Sequence, residues 1–411
     1  MAEHMESSDC KERYYVKYKY LNLKYALINI FYMFLICSTV GYAANFLLAK
    51  GFSNSAVGAV LSCVSIFGVI LQAVFAPLID RSDKLTEKGF VSITLIVTAV
   101  IALAMYFMPD ASFLLLALTT VSFSAASSGL PFINSIAFIY EKVGQTINYG
   151  LCRGLGSAAY AVGSFLIGQF LSLSFHSGKA PAGYLPLIYM VMALVTLAAV
   201  QTLETPQAEK ETPESGSTKI NYGQFFRKYR HILPVLAGMI MIYTCHMLIN
   251  NFMIHVITNV GGNASNQGTA LFIQAMVELP PMFLFARIMQ KKDVDSIMVL
   301  AGICFSIKHL FVWLSPDIRS LYLSMGLQML GYALLIPSSV YFANKHIDEQ
   351  DRNQGQAVIA WTTTIGGIIA SMLGGVLMDH LAVSTVLLIG SLISLMGTLL
   401  MVKGITSLKK G

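Results

Sequence analysis

Charge is what this sequence has least of: Asp, Glu, Lys and Arg together make up 12% of its 411 residues, about half the share of a soluble domain. That scarcity, with 55% hydrophobic residues, excludes a solvent-facing globular protein and points to a polytopic membrane protein. Metal and nucleotide chemistry are missing too. The six cysteines (Cys10, Cys37, Cys63, Cys152, Cys245, Cys304) are scattered without ligand spacing and read as small apolar fillers. There is no G-x-x-x-x-G-K followed by Ser or Thr, no H-E-x-x-H and no pair of intramembrane aspartates, so neither an ATPase nor a membrane-embedded enzyme finds its site. No cofactor or metal is implied. The net charge of +6 is not a nucleic-acid signature, because the basic residues lie in loops between apolar runs, where they set topology; no nucleic-acid partner is expected.

What is there is apolar length. A helical span needs about 20 mostly apolar residues, and the chain divides into twelve: 25–49, 55–79, 89–108, 113–140, 149–174 and 185–203, then 231–258, 269–290, 296–315, 320–343, 355–378 and 384–403. The expected architecture is an all-α membrane protein with a segment 1–24, a six-helix half 25–203, a linker 204–230, a second half 231–403 and a tail 404–411. The linker is rich in Thr, Pro, Glu and Ser and reads as flexible. Residues 1–24 lack the core and cleavage site of a signal peptide. With both termini and the linker on one side, that side holds 22 of the 27 basic residues, so the termini are expected in the cytosol. The halves are weakly alike, since Asn148-Tyr149-Gly150 opens span five and Asn353-Gln354-Gly355 opens span eleven, both leading into glycine-rich helix. Duplicated halves are a layout of alternating-access carriers.

Three charges interrupt the spans. Glu278, in ALFIQAMVELPP, is the one acid placed near mid-bilayer, counting about 1.5 Å per residue from either end of span eight. Lys308 in span nine and Arg153 in span five are its best-placed opposite charges. A guanidinium cannot escape by deprotonation, and burying it in hydrocarbon costs from about 3 to over 10 kcal/mol, so Arg153 needs a partner, a wet cavity or a route to the interface by snorkelling. Glu278 has two readings: a structural acid locked in an ion pair with Lys308, or a proton carrier exposed to each side in turn. Pro280 and Pro281 follow it and are expected to bend the helix.

Neutral polar residues outnumber charges in the spans. They include Tyr42, Asn134, Asn250, Asn251, Gln274, Gln328 and Tyr332, the lining expected for a polar, mostly uncharged solute. His246, His255 and His309 could titrate near neutral pH, although a lone histidine is more often a packing residue.

The plan of six spans, a linker and six spans resembles the major facilitator superfamily across the whole chain, and within it the lactose permease-like branch of oligosaccharide/proton symporters. In NYGLCRGLGSAAY, Tyr149, Gly150, Arg153 and Gly156 resemble that branch's Phe-Gly-x-x-Arg-x-x-Gly pattern. Arg153 then matches a sugar-binding arginine, and Tyr160 the aromatic residue on which a sugar ring stacks. AMVELPP resembles the stretch bearing the essential carboxylate, at Glu278, and VLAGICFSIKHL one bearing a buried arginine, here Lys308. APLIDRSDK, with Asp80 and Arg81, resembles the superfamily's loop between spans two and three, with Ala76 for the usual glycine. The likeness departs where the branch has a second sugar-binding carboxylate, here Ile136 or Asn134. The histidine and glutamate of span ten are matched by Gln328 and Gly331, the acidic pair of span seven falls among Ile249, Asn250 and Asn251, and a sugar donor is replaced by Pro281.

The expected function is proton-coupled symport of a small polar solute, a sugar or oligosaccharide first, by a protein that works as a monomer in the cell membrane. Glu278 and Lys308 would serve coupling, and Arg153, Tyr160, Asn134, Tyr42, Asn250, Asn251, Gln274 and Gln328 the solute. Nucleoside and aromatic-acid symporters share the Tyr-Gly-x-x-Arg-x-x-Gly-Ser stretch and remain alternatives. A drug/proton antiporter is a further one, although span five lacks the Gly-Pro pair usual in those proteins. Receptors commonly have seven spans and no halves.

Overall fold

In lipid every backbone polar group must be satisfied within the protein, and a helix does this inside one segment. The computed structural model of the protein describes residues 20–82, 85–173, 180–204 and 222–408, and among them there is helix and no strand. Most of the expected linker (205–221), the basic residues before Tyr20, Cys10, Lys179 and the last three residues lie outside the described residues.

Twelve helices are long and apolar enough to cross a membrane. In the first half these are span 1 (Leu21–Gly41), span 2 (Asn54–Asp80), span 3 (Glu87–Phe107), span 4 (Phe113–Lys142), span 5 (Tyr149–Leu171) and span 6 (Pro181–Gln201). In the second they are span 7 (Arg230–Asn251), span 8 (Ala264–Met289), span 9 (Val294–Leu314), span 10 (Ile318–His346), span 11 (Glu349–His380) and span 12 (Val383–Leu408). The number matches the apolar runs, and the ends differ where side chains cap helix termini. Span 8 starts at Ala264 rather than 269 because Asn263 and Asn266 form a reciprocal capping box. Span 10 starts at Ile318 because Asp317 and Ser320 do the same.

Three spans are interrupted within their length. Span 1 widens into a π-turn at Cys37–Gly41 before resuming as Ala43–Ala49. Span 4 changes helix at Gly129, where the Tyr32 hydroxyl donates to the Ala126 carbonyl at 2.5 Å. Span 10 consists of Ile318–Gly326, a 3₁₀ turn Leu327–Met329 and Tyr332–His346. Span 8, by contrast, stays α-helical through Pro280 and Pro281.

An even number of spans puts both chain ends and the join between spans 6 and 7 on one face, here called near; the opposite face is far. In the first half, span 1 packs on spans 5 and 6, and span 3 on spans 4 and 6. In the second, span 7 packs on spans 11 and 12, and span 9 on spans 10 and 12. The halves meet along two seams, span 5 on span 8 and span 2 on span 11. Small residues allow backbone contact there. A Cβ on Gly58 would stand 2.0 Å from the Ser371 oxygen, and one on Gly268 2.5 Å from the Ser164 oxygen.

Polar ties between the halves reinforce the far ends of these seams. Asn45 and Gln267 exchange amide hydrogen bonds of 2.8 and 3.0 Å. The Ser265 amide donates to Ser172 Oγ at 2.8 Å, and His255 Nε2 lies 2.5 Å from Asn54 Oδ1. The Asp379 carboxylate takes the Asn54 and Ser55 amides at 2.9 and 2.8 Å. Near-face ties such as Lys345 and His346 with Asp295, at 2.7 and 2.9 Å, stay inside one half. The halves are clamped at the far face.

Candidate functional site

Lys308 is fully buried and shows how a cation is accommodated in this interior. Its ammonium donates to Gln328 Oε1 at 2.6 Å and Gln274 Oε1 at 3.3 Å, with the Phe305 ring centroid 5.8 Å away. It makes no ion pair with Glu278. The Gln328 amide stands between the two, its Nε2 donating to Glu278 Oε1 at 2.7 Å. The orientation of that amide follows from chemistry: an ammonium can only donate and a carboxylate can only accept. The locked ion pair contemplated from the sequence is therefore not formed, because a span-10 side chain fills the gap between spans 8 and 9.

The network continues into span 7. Gln274 Nε2 donates to Asn250 Oδ1 at 3.2 Å, and Asn250 Nδ2 lies 3.0 Å from His246 Nε2. Since the amide nitrogen donates, Nε2 accepts and the histidine proton sits on Nδ1, which has no partner among the described residues. His309 rests on Ser394 Oγ at 2.7 Å and is outside this chain of bonds. His255 belongs to the far-face clamp.

Arg153 comes from the first half. Gly156 lets span 5 approach span 1, since a Cβ there would lie 3.1 Å from the Asn29 oxygen and from Met33 Cγ. This places Arg153 Nη1 3.1 Å from Met33 Sδ. Thioether sulfur is a weak acceptor, and among the described residues Arg153 has no acidic partner, so most of its donors are uncommitted. Its guanidinium is directed onto span 1 at Met33.

Tyr160 sits one face-repeat from Arg153, over the π-turn of span 1. A Cβ on Gly41 would stand 2.9 Å from its hydroxyl. Asn134 is half-buried with an unpartnered Oδ1 among the described residues. The remaining sequence candidates are tied down. Tyr42 is fully buried, its hydroxyl donating to the Ser164 carbonyl at 2.6 Å, and Asn251 donates to Ser371 Oγ of span 11 at 2.8 Å. Both are engaged in helix packing. Met33 and Gly41 were not in the predicted set, and Tyr332 was expected only as part of the polar lining. Tyr332 differs from Tyr42 only in which way its helix turns, and the π-turn has no signature in the sequence.

Two six-helix halves meeting at a seam with a polar site of this kind define a multi-pass membrane transporter of the major facilitator type, which is not an enzyme. Residues 20–388 match the MFS_1 like family, and the chain belongs to that family. It is similar to an uncharacterized transporter, YwbF, of Bacillus subtilis (strain 168), 23% identical with 91% of each chain covered. It is also similar to a maltose permease of Geobacillus stearothermophilus, 23% identical with 85% of each covered. In fold it matches the crystal structure of a nucleoside transporter, NupG, with a TM-score of 0.80 at 15% identity, covering 93% of this chain and 99% of that one. Membership implies a small-molecule solute.

Proposed function

We propose that this transporter is a proton-coupled symporter of a small, polar, uncharged solute, a sugar or oligosaccharide first, working as a monomer in the cell membrane with its near face in the cytosol. The observation that carries the reading is the Glu278 carboxylate, held at mid-span by the neutral Gln328 amide at 2.7 Å instead of being neutralised by Lys308. A carboxylate in that setting can take a proton without first breaking an ion pair. Arg153 and Tyr160 would hold the solute, by hydrogen bonding and by ring stacking. Lys308 would tune the carboxyl through the shared amide, and Gln274 and Asn250 would keep that lysine in place. The orientation is supported by the sequence count, in which 22 of the 27 basic residues fall in segments expected on that side.

One proton falling through about 100 mV supplies about 2.3 kcal/mol, enough for roughly 40-fold accumulation at 1.4 kcal/mol per tenfold. A nucleoside is the second reading, favoured by the stretch Tyr149, Gly150, Arg153, Gly156 and Ser157, which resembles that of nucleoside carriers. The test is alkalinisation of a lightly buffered suspension of energy-depleted cells as sugars, nucleosides and aromatic acids are added in turn. A sugar or nucleoside should raise the external pH with the wild type and leave it flat with Glu278→Gln, which should still exchange solute. Undiminished uphill uptake by Glu278→Gln removes that residue from the mechanism.

A further inference from the structure

Gln328 occupies an unusual place in the chain as well as in the network. It lies in the one-turn 3₁₀ stretch Leu327–Met329 that separates the two α-helical parts of span 10. Gly331, just beyond, has φ −90° and ψ −91°, and a Cβ there would come within 3.0 Å of the Phe305 backbone of span 9. A mid-span 3₁₀ break of this kind often marks a hinge. The residue at the break is therefore also the residue bonded at once to Glu278 and Lys308.

We propose that Gln328 is a positioning residue that senses whether Glu278 is charged and passes that state to the hinge of span 10. This rests on Glu278 being the proton site. With Glu278 ionised, both ends of the amide are engaged by charged partners, at 2.7 Å and 2.6 Å, and span 10 is tied to spans 8 and 9 by two charge-assisted bonds, each roughly twice as strong as a neutral one. When Glu278 takes a proton, the Nε2 bond drops to the neutral class. The new carboxyl O–H is a donor, and the group of Gln328 that faces it is the donor Nε2, with Oε1 turned to the ammonium. Turning the amide over would set its NH₂ against the ammonium, donor to donor, so the bridge cannot re-form in reverse. Protonation loosens the tie at the break, and span 10 is released from span 8.

The ionisable groups facing the bridge are Glu278 of span 8, Lys308 and His309 of span 9, Cys245 and His246 of span 7, Tyr332 of span 10, and Arg153 and Tyr160 of span 5. Glu278→Gln separates the first of these from the rest.

The experiment uses the full chain in lipid nanodiscs, with the six native cysteines replaced and nitroxides at positions 141 and 350, exposed at the near-face ends of spans 4 and 11. Electron–electron distances give the conformer populations between pH 5.5 and pH 8.5. Infrared difference spectra against Glu278→Gln follow the protonated-carboxyl band of Glu278. In the wild type, band and populations should move together. In Gln328→Met the band should still titrate while the populations cease to respond to pH. Gln328→Asn, which keeps an amide too short to span both partners, should behave the same way and stands in if the methionine variant does not fold. Populations that still follow pH in a folded Gln328 variant, or that ignore pH in the wild type, overturn the role of Gln328. A Glu278→Gln protein that keeps the wild-type pH response instead overturns Glu278 as the proton site.

Discussion

Asp379 Oδ2 holds Ser55 twice, through its backbone amide at 2.8 Å and its hydroxyl at 2.5 Å. The carboxylate belongs to the last turn of span 11 and the serine to the first turn of span 2, so an anion from one half caps the positive end of a helix in the other. Removing the charge with Asp379→Asn should weaken far-face closure by about 1–2 kcal/mol. That is a shift of roughly 5- to 30-fold in the closed-to-open ratio, readable as faster labelling of a cysteine placed at Asn45. An unchanged labelling rate would show that the cap carries no closing energy.

Gly268 makes a second prediction about the same end of the molecule. A methyl group there meets the Ser164 oxygen at 2.5 Å and the Gly168 Cα at 3.0 Å, both backbone atoms without freedom to turn aside. Gly268→Ala should wedge spans 5 and 8 apart and depress accumulation, with solute affinity much less affected. Wild-type accumulation would mean that the seam tolerates a side chain.

The twelve spans were legible because the bilayer imposes length and hydropathy on each, and Glu278, Lys308 and Arg153 because charge in such a background stands out. The relation between the first two was not. Whether Gln328 separates them or lies elsewhere depends on one turn of 3₁₀ helix in span 10, which leaves the apolar pattern unchanged. Tyr42 and Tyr332 look equivalent in sequence, and only packing sends one onto the Ser164 carbonyl and the other against the His246 ring, 5.0 Å between centroids. Asp379 sits in GGVLMDH, where an acid at a span end reads as an ordinary loop residue.

Arg153→Lys should raise the solute Kd about tenfold or more, because a point ammonium cannot reproduce the planar five-donor fork. Equilibrium binding to purified protein measures this. Affinity equal to wild type would leave Arg153 without a direct solute contact.

Tyr160 and Gly41 form a testable pair. Gly41→Ala places a methyl 2.9 Å from the Tyr160 hydroxyl and should displace the ring, raising KM with little change in maximal rate. Tyr160→Phe should be tolerated and Tyr160→Ala should not. Because the clash is with the hydroxyl, the double variant Gly41→Ala, Tyr160→Phe should recover most of the lost affinity, a non-additive outcome. Strict additivity would place the fault of Gly41→Ala in the π-turn itself.

Outside the spans, Lys228 joins the short helix Tyr222–Lys228 to Asp348 and Asp351 at 2.6 and 2.7 Å. Hydrogen bonding from Lys228 holds the Asp348 carboxyl below its ordinary value of 3.8, and the same bonds raise the Lys228 ammonium. A depressed carboxyl adds stability above its unfolded value and loses it as pH falls through the lower folded one. Hydrogen exchange across 222–228 should therefore be steady from pH 7 to about pH 5 and lose protection below about pH 4. Lys228→Met should abolish that acid step.

The far seam is closed by main chain against main chain at Gly58 and Ser371, and at Gly268 and Ser164. A barrier built from peptide atoms does not depend on which side chains decorate the cavity. Substitutions among the side chains around Arg153 and Tyr160 therefore leave that main-chain contact between the halves intact.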